Sequence, residues 1–385
     1  MAMPSVPDSE YQNRVAKARA LMRDNNLTAI ITTDSINYYY FSGQKISPSR
    51  SRPSIFLLPV EKDPILITWE MEKMFSSLEG RKFPSWVSDT RFYPEVPFSN
   101  EEFNDWGISK ALNDREIRRG KIGIEIGANT RLGIPLGDFM SIRKSFPEVE
   151  FVDSGKITWP CRMIKSKWEL ETIRKCCDIG GKAWERCFQE LRVGFSPRDI
   201  KLILYENYVK LGADLNSTGG FAKGTTGKND TFQTGDVLYL DGGCSYFGYE
   251  MDITRRAVFG HPDERQIKEH KMALQLLQDL ICEMKPGVSV SSLFEHSNER
   301  VKKMGLLNYS TDPAKRIGHG IGLEPEPPSI NAIDQSMLEE GMVLTPEPKF
   351  ISKDGLVNPE EQIVVTNDGY ELLSTSPDPG LRIVD

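Results

Sequence analysis

Apolar residues follow two different periods along this chain of 385 residues. Over roughly the first 155 residues, apolar runs of strand length alternate with longer amphipathic stretches. The runs predict strands at 28–34, 54–59, 64–69, 121–126 and 150–153, and the amphipathic stretches predict helices at about 9–25 and 131–146. This alternation indicates an α/β unit around a mostly buried sheet.

Long helical stretches dominate the beginning of the second half of the chain. Ser166 with Glu169 predicts a capping box at the start of a long helix. Ser196 followed by Pro197 predicts the start of another. Two more helices are predicted at about 263–284 and 289–304. The segments VLYLDGGC, YEMDITRRAV, GMVLTPEP and EQIVVT predict strands, which we expect to form one mainly antiparallel sheet with the helices on its other face.

Composition limits the classes of function and the compartment. A net charge of -7 argues against a nucleic-acid partner, and no apolar run approaches the ~20 residues of a membrane span. The start of the chain has no basic segment followed by an apolar one, so no secretory signal is expected. The six cysteines form no CxxC pair, which favours a reduced, cytoplasmic protein.

Four carboxylates and one histidine stand out in the second half: Asp241, Asp252, His319, Glu347 and Glu360. Asp241 and Asp252 are separated by a glycine-containing turn, so each is expected on its own strand of one hairpin. Four converging carboxylates in a closed site require cations to offset their charge. The set therefore predicts two adjacent divalent ions, which would activate a bridging water and polarise a carbonyl-like group.

Five segments of this half occur in the order and spacing of one known family. They are GDVLYLDGG, GYEMDITRRAVFG, GHGIGLE, LEEGMVLTPEP and VVTNDGYELL. On these motifs the chain resembles the creatinase / Xaa-Pro peptidase family, which includes prolidase and aminopeptidase P. The resemblance implies an α+β protein with two domains, a creatinase-type α/β domain at 1–157 and a pita-bread metallohydrolase domain at 158–385.

The resemblance also implies how the five ligands divide between two metal ions. Asp241 would hold one ion, Asp252 and Glu360 would bridge both, and His319 and Glu347 would complete the other. Glu347 would in addition shuttle a proton. Mn is the expected metal, with Co, Zn or Fe as alternatives, because a carboxylate-rich site accepts all of them.

Residues next to the ligands follow from strand parity. Thr254 lies two residues after Asp252 and Thr345 two before Glu347, so each threonine should share its ligand's face and support it.

Glu361 competes with Glu360 for the ligand role. The family's spacing back from Thr366 selects Glu360, and Glu361 should then point to the opposite face. Arg255 is expected to point away from the metals and to form a structural ion pair.

The chain departs from the family's peptidases at two further histidines. Gly224 and Glu326 stand at their positions, and Asn358 replaces an arginine usually found two residues before the last ligand. The histidines of the peptidases contact the substrate and stabilise the tetrahedral intermediate. Each lost hydrogen-bond donor is worth ~2–4 kcal/mol of transition-state stabilisation.

Other side chains are candidates for the missing roles. Glu326 could act as a base or bind a cationic group, and Lys223 could donate to a developing oxyanion. Glu324, Arg50 and Arg52 are candidate substrate contacts; the two arginines lie on a polar loop that in dimeric relatives can reach the partner's site.

The sequence therefore predicts a homodimeric, dinuclear-metal hydrolase that cleaves a C–N bond of a small substrate or short peptide. It is most like an Xaa-Pro dipeptidase or aminopeptidase that uses a metal-bridging hydroxide. Because the histidines are missing, a non-peptidase of the same fold is the alternative: an amide hydrolase resembling ectoine hydrolase, or a metal-dependent lyase resembling dimethylsulfoniopropionate lyase. A binding module without activity is disfavoured, because such proteins typically lose the ligands that this chain retains.

Overall fold

A computed structural model describes residues 6–44, 52–78, 85–96, 102–214, 221–223, 231–309, 311–374 and 380–385, without the side chains of 75–78 and 221–223. The chain divides into two compact units, Met1–Cys161 and Arg162–Asp385. The sequence-based boundary at 157/158 falls a few residues earlier, within a helix that carries the chain from one unit into the next.

The first unit contains a six-stranded mixed sheet. Its strands are β1 (Leu27–Thr32), β2 (Ile55–Pro59), β3 (Ile65–Trp69), β4 (Asp89–Tyr93), β5 (Gly120–Ile124) and β6 (Val149–Asp153), in the order β4-β3-β2-β1-β5-β6. β2 runs antiparallel to both of its neighbours, and the other pairs are parallel. The helices are α1 (Asp8–Asp24), α2 (Ser35–Ser42), α3 (Glu70–Leu78), α4 (Ile108–Asp114), α5 (Leu136–Ser145) and α6 (Gly155–Met163).

The elements of this unit that apolar patterning did not predict have local explanations. α2 lacks an amphipathic period, but Asp34 caps it by accepting hydrogen bonds from the backbone N–H groups of Ile36 and Asn37. β4 is polar and only partly buried, so it has no apolar run to reveal it. The five predicted strands and two predicted helices are present, with shifts of a few residues at their ends.

The second unit begins with long helices. They are α7 (Lys167–Glu190), α8 (Pro197–Leu211), α9 (Glu264–Ile281) and α10 (Val290–Lys303). The capping box of Ser166 and Glu169 is confirmed, and Ser196 forms a second one at the start of α8. Within the described part of the chain, no helix is both long and apolar enough to cross a membrane.

The strands of the second unit form several sheets rather than one. A four-stranded sheet has the order β20-β11-β8-β7, from Arg382–Val384, Ile253–Phe259, Val237–Gly242 and Phe221–Lys223. A five-stranded sheet has the order β14-β13-β15-β18-β19, from Pro325–Ser329, Gly318–Ile321, Val343–Pro346, Ile363–Val365 and Tyr370–Leu372. Two small sheets consist of β9 (Ser245–Tyr246) with β10 (Tyr249–Glu250), and of β12 (Leu307–Asn308), β16 (Phe350–Ser352) and β17 (Gly355–Val357).

The expectation of a single sheet carrying all the candidate ligands was therefore wrong. β8 and β11 pair antiparallel in one sheet, whereas β13, β15 and β18 belong to another. An isolated antiparallel bridge joins Thr254 on β11 to Glu360, which lies shortly before β18. The strand segments are visible in the sequence, but hydrogen bonds between distant segments decide how they are grouped.

Candidate metal centre

Three of the candidate ligands converge in the second unit. Asp252, His319 and Glu360 each place a ligand atom within 4.8 Å of the others. Asp252 directly precedes β11, His319 lies on β13, and Glu360 lies between β17 and β18, so three separate segments supply the cluster. His319 and Glu360 are 3% and 1% exposed, so the cluster is largely shielded from bulk water.

Asp241 and Glu347 flank this cluster. Asp241 lies on β8 opposite Thr254, in the hairpin that the spacing of the two aspartates predicted. Glu347 directly follows β15 and is buried. Its Oε1 lies 2.8 Å from Lys349 Nζ, and its Oε2 accepts a hydrogen bond from Asn358 Nδ2 at 3.2 Å.

The carboxylates of this centre repel one another. Burial raises the pKa of Asp252 well above its usual range, and the charges of Asp241 and Glu347 raise it further. The pKa of Glu360 is raised for the same reasons, by burial first and then by Asp252, Glu347 and Asp241. Burial also raises the pKa of Asp241. Divalent cations would relieve this repulsion.

His319 is held in the form that a metal requires. Its Nδ1 lies 2.9 Å from the carbonyl oxygen of Gly320, which can only accept, so Nδ1 carries the proton. Nε2 is then a free electron-pair donor, 3.7 Å from Asp252 Oδ2. Burial and the neighbouring Arg316 lower the pKa of His319 to about 4, so the ring is neutral near pH 7.

The donor set fits divalent metal ions. Hard cations such as Mn²⁺ prefer carboxylate oxygens and accept an imidazole nitrogen. Asp252 Oδ1 is buried and has no hydrogen-bond partner among the residues that the structure describes, as expected of an oxygen that a cation would satisfy.

The two predicted supporting threonines both lie beside ligands. Thr254 Oγ1 donates to Glu360 Oε2 at 2.9 Å, so it contacts a ligand on the facing segment. Thr345 is fully buried opposite His319 on the paired strand, and its hydroxyl lies 3.5 Å from the carbonyl oxygen of His319.

Glu360 and Glu361 point in different directions. Glu360 joins the cluster, whereas Glu361 forms a buried ion pair with Arg255, with Oε1 2.9 Å from Nη2. Arg255 Nη1 also donates to the backbone carbonyl of Glu360 at 3.1 Å. The ion pair expected of Arg255 is therefore present, and it fixes the backbone that carries the ligand.

Glu326 and Glu324 belong to a different cluster, which contains its own cations. The carboxylate of Glu326 contacts Lys165 Nζ and lies 3.3 Å from Arg162 Nη2, and its side chain is 1% exposed. Glu324 lies 2.8 Å from Arg162 Nη1. Both oxygens of Glu326 thus face cations, an arrangement suited to holding β14 against the segment that precedes α7. A role for Glu326 as a base stays a prediction.

Three other predicted side chains are placed only in part. Lys223 ends β7 and pairs through its backbone with Tyr239, but its side chain is outside the described part of the structure. Arg50 lies outside the described residues. Arg52, in the first unit, forms an ion pair with Glu95 and stacks over the ring of Trp69 at 4.4 Å.

Sequence reasoning missed several side chains that contact ligands. Tyr239 donates to Asp241 Oδ2 at 2.9 Å, Lys349 pairs with Glu347, and Gln362 Oε1 accepts from the backbone N–H of Asp252 at 3.1 Å. Each lies two residues from a ligand, the spacing that puts alternate side chains on one face of an extended segment. The strand parity that predicts the positions of Thr254 and Thr345 also holds for Tyr239, Lys349 and Gln362.

Comparison with known families identifies the chain. The sequence model of metallopeptidase family M24 matches residues 171–367, slightly more than half of the chain, and this segment contains all five candidate ligands. The chain belongs to metallopeptidase family M24. The creatinase/prolidase N-terminal domain model matches residues 14–164, which confirms the two-domain architecture. As a member of this family, the protein is a metal-dependent hydrolase.

Relatives of this M24 protein cover nearly its whole length. It is 26% identical to the Xaa-Pro dipeptidase of Pyrococcus horikoshii over 94% of this chain and 96% of that protein. A solved prolidase from Pyrococcus furiosus is 25% identical, with a TM-score of 0.73 over 93% of this chain and 99% of that one. A prolidase from Thermococcus sibiricus, 20% identical, has the same fold, with a TM-score of 0.82 over 99% and 100% of the two chains.

The two neighbouring glutamates should separate metal binding from stability. Glu360→Gln should lose metal in equilibrium dialysis against Mn²⁺, because it removes a ligand charge. Glu361→Gln keeps all five candidate ligands and should still take up metal, but should lose about 3–5 kcal/mol of unfolding free energy, because it removes the carboxylate charge that pairs with the buried Arg255 guanidinium. If Glu361→Gln lost metal and Glu360→Gln kept it, Glu361 would be the metal ligand and Glu360 would not.

Metal binding should release protons from carboxyl groups. The raised pKa values of Asp241, Asp252 and Glu360 mean that the metal-free site keeps protons at a pH where ordinary carboxyls have lost them. Metal affinity should therefore rise with pH until these groups ionise. His319, with its pKa lowered to about 4, contributes no proton above about pH 5. Calorimetric titration of chelator-stripped protein in two buffers of different ionisation enthalpy measures the release; equal enthalpies in both would contradict it.

Substitution of Glu326 should lower the free energy of unfolding more than it lowers the turnover rate. Glu326→Gln removes the buried carboxylate that faces Lys165 and Arg162, leaving Glu324 beside Arg162, and we expect a loss of about 3–5 kcal/mol in denaturant unfolding. The matched control is Glu371→Gln, which breaks an ion pair with Arg174 in which both side chains are at least 40% exposed, and which should change stability by about 1 kcal/mol or less. A Glu326→Gln protein with unchanged stability and lost turnover would instead support Glu326 as the base.

Proposed function

We propose that this M24 protein is a two-metal hydrolase that cleaves the peptide bond preceding proline in dipeptides or short peptides, as an Xaa-Pro dipeptidase does. The convergence of Asp252, His319 and Glu360 carries the proposal, because such a centre can supply the nucleophile for amide hydrolysis and no other described cluster has its donor set. The Xaa-Pro dipeptidase of Pyrococcus horikoshii, aligned over 94% of this chain, supports the choice of substrate class.

In this proposal Asp241, Asp252, His319, Glu347 and Glu360 would hold the two ions, with Asp241 and Glu347 on different ions as the family resemblance implies. When bound, the two ions lower the pKa of a water molecule and polarise the carbonyl of the scissile bond. The protein holds the five ligand side chains in a buried site, where strand backbone and buried hydrogen bonds fix their orientation.

Glu347 is the proposed proton carrier. Asn358 Nδ2 donates to its Oε2, and Lys349 Nζ lies 2.8 Å from its Oε1. Held in this way, the Glu347 carboxylate would take a proton from the nucleophile and deliver it to the leaving nitrogen. Lys223 is our candidate donor to the substrate in place of the missing histidines, and Glu326 is the alternative candidate for the base. Glu324, Arg50 and Arg52 are proposed as substrate contacts.

We further propose that Mn²⁺ is the working metal, with Co, Zn or Fe as alternatives, and that the protein is a cytoplasmic homodimer. The oxygen-rich donor set supports Mn²⁺. The cysteines are free, five of them buried, which supports a reducing compartment. The resemblance to dimeric two-domain members supports the homodimer, and the net charge of -7 supports the absence of a nucleic-acid partner.

Metal content and peptide cleavage should be measured on the same sample. Protein purified without chelator should hold about two metal ions per chain and hydrolyse Gly-Pro and other Xaa-Pro dipeptides. Dipeptides in which alanine replaces proline should be cleaved more slowly. In H₂¹⁸O the released Xaa residue should carry one ¹⁸O atom, because hydrolysis adds water to the carbonyl carbon. Asp252→Asn should abolish both metal uptake and cleavage.

Two outcomes would change the proposal. Bound metal without cleavage of any dipeptide would redirect it to a small non-peptide amide, or to an elimination if a product forms without ¹⁸O. A protein that takes up no metal even from excess Mn²⁺ would overturn the two-metal centre itself.

A further inference from the structure

Two polar side chains join the outer ligands of the centre. The Tyr239 hydroxyl lies 2.9 Å from Asp241 Oδ2 and also contacts Asn358 Oδ1. The Nδ2 group of the same asparagine donates to Glu347 Oε2 at 3.2 Å. A chain of close polar contacts therefore runs from Asp241 through Tyr239 and Asn358 to Glu347, and the single phenol proton of Tyr239 lies between two acceptor oxygens.

The direction of this path is determined by its chemistry. The carboxylate of Glu347 can only accept, so the amide of Asn358 must present its NH₂ group to Glu347 and its oxygen to the phenol. Tyr239, in turn, must donate, either to that oxygen or to Asp241. Neither side chain can rotate to water, since Tyr239 is 7% exposed and Asn358 is 1% exposed.

The two residues also stand at defined places in the fold. Tyr239 lies two residues before Asp241 on β8, and Asn358 lies two residues before Glu360. A shift of either backbone segment would therefore move Asp241 or Glu360 and, at the same time, break the contact between Tyr239 and Asn358.

We propose that Tyr239 and Asn358 act as one positioning bridge that sets the separation and orientation of Asp241 and Glu347, and through them the binding of both metal ions. The inference rests on the proposed two-metal centre, in which Asp241 and Glu347 belong to different ions. Both bridge residues are positioning residues in this proposal, since neither is one of the five candidate ligands. They orient the carboxylates of Asp241 and Glu347, which would otherwise move apart because their charges repel. Residues hydrogen-bonded to metal ligands perform this role in other metal sites.

The test is calorimetric titration of chelator-stripped, full-length protein with Mn²⁺ alone. Tyr239→Phe removes only the hydroxyl, and we expect it to weaken Mn²⁺ binding about 10–100-fold, the usual effect of losing such a partner. Asn358→Ala should do the same. The double variant should bind no more weakly than the weaker single variant, because either change already breaks the bridge. The absorption spectrum of bound Co²⁺ should shift in all three variants, which a loss of stability alone would not cause.

Tyr208→Phe is the matched control. It removes another buried phenol hydroxyl of the same unit, one that accepts from Trp184 Nε1 and has no contact with a candidate ligand in the described part of the structure. This control should bind Mn²⁺ as the wild type does. Should Asn358→Ala fail to fold, Tyr239→Phe and its Co²⁺ spectrum still decide the question.

The results separate the bridge from the centre it serves. Wild-type Mn²⁺ affinity and Co²⁺ spectrum in Tyr239→Phe would overturn the bridge and leave the two-metal centre intact. Losses that multiply in the double variant would also overturn it, since they would show two independent contacts. A wild-type protein that binds no Mn²⁺ or Co²⁺ would overturn the bridge and the proposed centre together.

Discussion

Repulsion among buried carboxylates is the constraint on which the second unit depends. Asp252 and Glu360 have raised pKa values because burial and neighbouring negative charges disfavour their ionised forms. A neutral imidazole, His319, cannot offset those charges. The fold must therefore hold the groups together against their own repulsion, and rigid strands and buried hydrogen bonds do so until cations complete the site.

Buried carboxylates in this unit are of two kinds. Glu361 and Glu326 each have a protein cation as partner, Arg255 for the first and Lys165 with Arg162 for the second. Asp252 and Glu360 instead face other carboxylates, His319 and the Thr254 hydroxyl. Glu361 and Glu326 have their counter-charge within the protein, whereas Asp252 and Glu360 require a cation from solution. This difference separates structural from functional acids that are neighbours in sequence, as Glu360 and Glu361 are.

Thr254 occupies the junction between the two sheets that carry the ligands. Its backbone pairs with Asp241 on one side and bridges to Glu360 on the other, and its hydroxyl donates to the Glu360 carboxylate. Thr254 is almost fully buried and contacts both Asp241 and Glu360, so it helps to fix the position of these two ligands relative to each other. A site assembled from two sheets needs such a junction, because neither sheet alone fixes the distance across it.

Much of this protein was readable from local pattern: the long helices with their capping boxes, the hairpin that carries Asp241 and Asp252, and the five candidate ligands. Those features depend on residues close in sequence or on motifs in fixed order. The sequence by itself thus determined the α+β class, the M24 resemblance and the type of chemistry. Only the tertiary structure decided that the ligand strands divide between two sheets, that Glu326 is neutralised by Lys165 and Arg162, and that Tyr239 meets Asn358. Each of these contacts joins segments more than 100 residues apart, and no local periodicity records which distant partner a buried polar group will find.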